Sequence, residues 1–147
     1  MKVVIQLVSE ASLSIAGNLH ASITNGMVCF VGFTHDDNPV ILEAMLDKLL
    51  KLRIFPDENG KTNLSLSETK GQLLLIPNFT LYANTIGSRR PSFSNAAKPE
   101  VAASLFTHLK NHLTSLYPSS KVGVFGADMS VVVHNQGPFT LILDSNE

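Results

Sequence analysis

Residues 27–33 read MVCFVGF and hold no polar side chain. A run this apolar is buried on both of its faces, and it is far shorter than the roughly 20 residues of a membrane-spanning helix. It therefore predicts a central strand, covered by other parts of the chain above and below. Two further runs have the same character. Residues 2–8 carry Val3, Val4, Ile5, Leu7 and Val8, and residues 72–76 read QLLLI. With 44% hydrophobic and 16% charged residues over 147 positions, the chain has the apolar material to cover such strands. This length predicts one domain, 1–147. The first run is broken by Gln6 and followed by Ser9-Glu10, too early for the apolar stretch of a signal peptide. A cytoplasmic protein is expected.

The rest of the chain fills in around those strands. Leu13 and Ile15 alternate with Ser12 and Ser14, a half-buried strand, and Gly17-Asn18 predicts a turn into a hairpin over 19–23. Asn38 followed by Pro39 reads as a helix cap with proline in the first turn, and the apolar spacing runs to Leu52. A short strand at 53–55 precedes the turn Asp57–Gly60, and Phe79–Ala83 reads as a continuation of the 72–76 strand beyond Pro77. A second helix is predicted from Pro99 to Leu116, with Ala102, Leu105, Phe106, Leu109, Leu113 and Leu116 on one face. Residues 121–125, 128–134 and 139–143 read as three last strands. Helices do not alternate regularly with strands. The expected fold is α+β: a curved, mostly antiparallel or mixed sheet or barrel with two main helices packed outside it.

The usual catalytic signatures are absent: no Gly-x-Ser-x-Gly, no Walker loop, no His-Glu-x-x-His. Cys29 lies within the most apolar strand, where burial makes a thiol inert. His108 and His112 stand i, i+4 on the second helix, and their bland reading is a pair of boundary residues. Asp36-Asp37 precede a helix start, where negative charge complements the dipole. More informative is the stretch 69–99, which holds Lys70, Arg89, Arg90 and Lys98 and no acidic residue, in a chain of net charge −1. Within it, Arg89-Arg90-Pro91-Ser92-Phe93-Ser94 places hydroxyls and an aromatic beside two guanidiniums. Such a loop suits phosphates and a stacked base, and equally suits plain solvation. Pro77-Asn78-Phe79-Thr80-Leu81 interrupts an apolar strand with a residue that cannot donate to a sheet, freeing nearby amides that could form an oxyanion hole. Asn135-Gln136-Gly137-Pro138-Phe139-Thr140 lies between two strand patterns, where a hairpin turn is the simplest reading.

Together these segments resemble the D-aminoacyl-tRNA deacylases, also called D-tyrosyl-tRNA deacylases. The resemblance spans the chain: Ile5-Gln6, Arg53-Ile54-Phe55, Asn63-Leu64, Phe79-Thr80-Leu81, Arg90-Pro91-Ser92-Phe93, Gly126-Ala127-Asp128-Met129 and Asn135-x-Gly137-Pro138-x-Thr140. It implies hydrolysis of the ester joining a D-amino acid, or mischarged glycine, to the 3'-terminal adenosine of tRNA. It implies a homodimer in which a cis Gly137-Pro138 segment reaches into the partner's site, rejecting L-amino acids. No metal, organic cofactor, membrane or DNA partner is implied.

The implied roles follow residue by residue. The backbone amides of Phe79 and Thr80 would hold the ester carbonyl, with the Thr80 hydroxyl in attendance. Gln6, Pro77, Asn78, Met129, Asn135 and Thr140 would bind substrate. Arg89, Arg90, Ser92 and Phe93 would meet the tRNA. Three positions depart from the usual pattern. Pro77-Asn78 stands where the family usually has Ser-Gln, and Leu7 stands where it usually has an Arg after Ile-Gln. They define the alternatives: a tRNA deacylase of relaxed chirality, or a catalytically silent RNA-binding dimer.

Overall fold

The apolar runs become neighbouring strands. The computed structural model describes residues 1–147. Its elements are β1 (Lys2–Ile15), β2 (Asn18–Ile23), β3 (Gly26–Gly32), α1 (Pro39–Lys51), β4 (Phe55–Pro56), β5 (Thr62–Leu64), α2 (Leu66–Thr69), β6 (Gln72–Pro77), a 3₁₀ turn (Phe79–Tyr82), α3 (Pro99–Leu116), β7 (Lys121–Val122) and β8 (Met129–Asp144). The main sheet runs β2-β1-β3-β6-β7, with β8 paired to β1. The small β4–β5 ribbon stands apart from it.

β1 organises this sheet. One of its edges pairs antiparallel with β8 from Lys2↔Asp144 to Ile15↔Met129. Its other edge is shared, by β3 along Lys2–Val8 and by β2 along Ala11–Ile15. Beyond β3 the pairing turns parallel, β3 to β6 and β6 to β7. Parallel neighbours need long crossovers, and α1 and α3 supply them. The expected α+β fold with a mixed sheet is thus found, and its two long helices are the connections of its parallel half. At the far edge His20 Nε2 donates to Val122 O at 3.2 Å, so β2 approaches β7 and the curved sheet nearly closes.

Alternation along the strands sorts side chains into two cores. Val3, Ile5 and Leu7 of β1, Met27, Cys29 and Val31 of β3, and Leu73 and Leu75 of β6 face the helices. There they meet Leu42, Leu46 and Leu49 of α1 and Leu105, Phe106 and Leu109 of α3. The opposite face forms a smaller core from Val8, Ala11 and Leu13 with Val28, Leu74 and Ile76. Cys29 is fully buried, and burial pushes its thiol up from the usual range.

Several local expectations change. β1 is one strand from 2 to 15, and Ile15↔Asn18 places the hairpin turn at Ala16-Gly17, one residue earlier than Gly17-Asn18 suggests. The stretch 121–125 keeps only Lys121–Val122 as strand, and 128–134 and 139–143 fuse into β8. Phe79–Ala83 does not extend β6; it coils into the 3₁₀ turn. The helix α2 arises from Ser65-x-x-Glu68, where Ser65 N and Oγ both donate to Glu68 Oε2. His108 Nε2 donates to Glu43 Oε1 at 2.8 Å, joining α3 to α1, and His112 stacks beside it.

Asp37 is not the cap of α1. Asn38 caps that helix, its Oδ1 accepting from Val40 N and Ile41 N. Asp37 is buried and pairs with the Met1 ammonium at 2.5 Å, while its other oxygen accepts from Thr34 N at 2.8 Å. Removing one partner of such a pair leaves a buried charge uncompensated. Asp37→Ala is expected to lose about 3–5 kcal/mol of stability; urea denaturation with an unchanged midpoint would contradict this.

Candidate active site

The site begins where β6 stops. Pro77 is the last residue in register with β3, opposite Val31. Having no N–H, proline cannot extend a ladder. The chain makes one more bond to the sheet, Asn78 N to Val31 O at 2.7 Å, and then turns away. Asn78 caps the 3₁₀ turn: its Oδ1 accepts from Thr80 N at 3.2 Å and from Thr80 Oγ1 at 2.5 Å. Phe79 N–H, at the first position of the turn, has no acceptor within it. Gly32 lets this turn lie across the end of β3. A Cβ there would stand 2.9 Å from Asn78 O and 3.2 Å from Leu81 Cβ.

Beside the turn opens a cavity of about 810 Å³. Its apolar lining includes Phe30 and Ile76 with Met129 and Val131, side chains of β3, β6 and β8. Phe79 and Phe93 also line it; they are 55% and 38% exposed and meet edge to face at 5.0 Å. Polar groups come from Asn78, His35, Ser94 and Lys98. The 94–97 wall is tied to the end of β3: Thr34 Oγ1 donates to Asn95 O, His35 Nε2 to Ser94 O, and Ala97 N to Phe33 O. Asn84 and Ser92 exchange backbone bonds of 2.8 Å, closing the loop that carries Arg89 and Arg90. Both arginines are exposed, and neither is in an ion pair.

A second constellation sits on β8. Register with β1 passes from Gln6↔Thr140 to Val8↔Asn135, so the single residue Leu7 faces the four residues 136–139. The surplus is thrown outward as a tip holding Gly137 and Pro138, joined by a cis peptide and both exposed. Asn135 closes its base like a short ladder: Oδ1 accepts from Phe139 N at 3.0 Å and Nδ2 donates to Phe139 O at 3.3 Å. Gln136 Nε2 donates to Ser9 Oγ and Gln6 Nε2 to Thr140 Oγ1. Gly137 has φ +118°, a conformation open to glycine, and a Cβ on it would lie 2.9 Å from Phe139 N.

The sequence-derived residues thus fall into groups. Pro77, Asn78, Phe79, Phe93 and Met129 line one cavity. Thr80 belongs to the turn but not to the lining, and Arg89, Arg90 and Ser92 lie on the neighbouring loop. Gln6, Asn135 and Thr140 hold the tip of Gly137 and Pro138, which does not line the cavity of its own chain. The simple hairpin reading of 135–140 is replaced by an outward bulge within one strand. Leu7 points into the helix-facing core and gives the tip no polar support. His35 and Gly32 carry no sequence signal; Lys98 belongs to the basic stretch but had no assigned place. Asn135→Ala removes both side-chain bonds across the base of the tip. Hydrogen exchange at the Phe139 amide should accelerate at least about tenfold, with roughly 1 kcal/mol lost in overall stability; unaltered protection at Phe139 would contradict it.

Comparison with known proteins fits this geometry. The family model for D-Tyr-tRNA(Tyr) deacylase matches residues 4–144. The chain is 44% identical over 147 residues to a D-aminoacyl-tRNA deacylase of Bacillus velezensis, covering all of both proteins. Among solved structures, a c-Myc DNA unwinding element binding protein superposes with a TM-score of 0.92 at 33% identity, over 98% of each chain. A probable eukaryotic D-amino acid tRNA deacylase has a TM-score of 0.88 over 97% of each chain; at 16% identity it is a likeness of fold alone. The agreement along the whole chain, in sequence and in fold, makes this protein a member of the D-Tyr-tRNA(Tyr) deacylase family.

Proposed function

We propose that the protein hydrolyses the ester between a D-amino acid and the 3'-terminal adenosine of tRNA, releasing both, and that it also removes glycine mischarged onto tRNA. It would do so as a homodimer in which Gly137-Pro138 of one copy closes the cavity of the other. One observation carries this reading: the tip is pinned at its base by Asn135, Gln136 and Gln6, is exposed, and lies outside the cavity of its own chain. So much fixed, outward backbone suits a surface that serves a second copy.

The chemistry needs little from side chains. An aminoacyl ester is already activated, so water attacks it once the carbonyl is positioned and its developing oxyanion stabilised. Phe79 N–H is the open backbone donor of the turn. The Thr80 amide and hydroxyl both face Asn78 Oδ1, which favours a structural and binding role for Thr80 over a nucleophilic one. The ribose 2'-OH of the substrate, next to the ester, would assist the water. Phe79 and Phe93 offer faces on which the terminal adenine stacks. Arg89 and Arg90, free of carboxylate partners, take phosphates of the acceptor end, with Ser92 beside them. Pro77 and Met129 border the aminoacyl group.

Chirality would be read by main chain. With the ester carbonyl fixed at the turn, an L side chain is directed at the Gly137-Pro138 backbone and a D side chain away from it. Glycine, lacking a side chain, passes. This is discrimination by collision with the wrong substrate, and it depends on a rigid wall.

The test is deacylation of D-Tyr-tRNA, L-Tyr-tRNA and Gly-tRNA by the purified protein and by Gly137→Ala. The wild type should clear the D and Gly esters and spare the L ester; comparable loss of the L ester would mean relaxed chirality. tRNA binding with no turnover would mean a silent dimer. A Cβ at residue 137 collides with Phe139 N and must reshape the tip. Gly137→Ala should therefore lower D-over-L selectivity by at least about tenfold, roughly 1.4 kcal/mol, and unchanged selectivity would refute the assigned filter.

A further inference from the structure

The cavity wall beyond Phe93 has little packing to hold it. Ser94, Asn95, Ala96 and Ala97 follow one another with no large apolar side chain, and only Ala97 among them is buried. Their backbone belongs to no helix or strand. Hydrogen bonds therefore set where this wall stands, and the long-range ones all come from one segment. Thr34 Oγ1 donates to Asn95 O at 2.8 Å, His35 Nε2 to Ser94 O at 2.7 Å, and Ala97 N to Phe33 O at 2.9 Å. Thr34 and Ala96 also face each other as an antiparallel bridge.

Asp37 anchors the far end of that segment. Its buried carboxylate accepts from Thr34 N at 2.8 Å through Oδ2 and from the Met1 ammonium at 2.5 Å through Oδ1. Met1 leads into β1, and its carbonyl accepts from Ser145 N at 2.9 Å. We propose that residues 33–37 are a strap that sets the cavity wall, with Asp37 and Thr34 as positioning residues for the terminal adenosine of the substrate. The inference rests on the hydrolase reading above and extends it to two residues that do not line the cavity.

The coupling runs through Phe93. That residue directly precedes the wall, and its carbonyl accepts from Ala96 N at 3.0 Å. Its ring meets Phe79 edge to face at 5.0 Å, and both residues line the cavity. Phe79 is placed independently, by the turn that follows β6. The spacing and angle of the two aromatic faces thus depend on where the strap puts Phe93. A bond lost at Thr34 or Asp37 lets the wall drift. Adenosine then binds less well, while an ester that does seat correctly reacts as before.

The experiment is steady-state hydrolysis of D-Tyr-tRNA by the full-length wild type, Thr34→Val, Thr34→Ser, Asp37→Asn and Ser145→Ala, with circular dichroism and Tm to check folding. Thr34→Val removes the hydroxyl donor and keeps a branched side chain. Its KM should rise about three- to tenfold, the range of one neutral hydrogen bond, with kcat within about twofold. Thr34→Ser keeps the hydroxyl and should restore the wild-type KM. Asp37→Asn loses the charge that anchors the strap, and where it folds its KM should rise at least as much; where it does not, the two Thr34 variants decide. Ser145→Ala is the control. Ser145 Oγ accepts from the same ammonium at 2.6 Å and makes no bond to the strap, so KM should stay unchanged. A residue that only stabilises the fold would act on the folded fraction, lowering kcat and leaving KM alone. Folded Thr34→Val or Asp37→Asn with KM within about twofold of wild type, or an equal rise in Thr34→Ser or Ser145→Ala, would overturn the strap while leaving the hydrolase reading intact. A wild type that clears no D-aminoacyl ester would overturn both.

Discussion

The mismatch between β1 and β8 is the constraint from which the exposed tip of this molecule arises. Two strands of nearly equal length pair over almost their whole extent, yet one residue of β1 is answered by four of β8. A ladder cannot absorb that surplus, so it leaves the sheet. Because β8 resumes pairing on both sides, the excursion is anchored at each end by a long run of backbone bonds. Asn135 then spans its neck with two further bonds, from Phe139 N and to Phe139 O. The result is a short piece of main chain, made of residues that need no side chains, held as firmly as the sheet itself. On the other side of the mismatch Leu7 turns inward to the helix-facing core, so the tip is supported by amide side chains of Gln6, Asn135 and Gln136, with no cation.

The second device is the end of β6. Proline, which ends the ladder, and glycine on the adjacent strand, which makes room, together force the chain to coil where it would otherwise extend. Asn78 makes that coil rigid. The Phe79 N–H, which a strand would have consumed, is left unpaired on a residue that lines a largely apolar cavity, where electrostatic interactions are stronger than in water. In the proposed reading, catalysis would use no titratable nucleophile, which would account for the missing customary motifs.

Much of this is legible in the sequence. The helix from Pro99 to Leu116 and the cap at Asn38-Pro39 are written in local chemistry, since proline and asparagine mark helix starts through their own hydrogen-bonding limits. The apolar strands announce themselves by composition. What could not be read depends on distant partners. Gly137-Pro138 carries the same signal whether it closes a hairpin or bulges from one strand; only the continued register with β1 decides. Phe79–Ala83 has strand-like residues, and it coils because Gly32, nearly fifty residues earlier, leaves space above it. The pairing of Asp37 with the Met1 ammonium has no local signal, because the two lie 36 residues apart. His35 and Lys98 reach the cavity only through the folding of the 94–97 wall.

The charge pattern completes the argument. A net charge of −1 gives no long-range pull toward a polyanion. Within 69–99, where no acidic residue occurs, Arg89, Arg90 and Lys98 make no ion pair and lie at or near the cavity. In the proposed reading only the acceptor end of the tRNA is gripped, by few phosphate contacts. Such a complex has a shallow salt dependence and dissociates readily. That suits a proofreading enzyme, which must inspect correctly charged tRNA and let it go far more often than it reacts. Discrimination is then left to the wall of main chain at Gly137-Pro138, and turnover to the donors of the 3₁₀ turn, with affinity for the tRNA body contributing little to either.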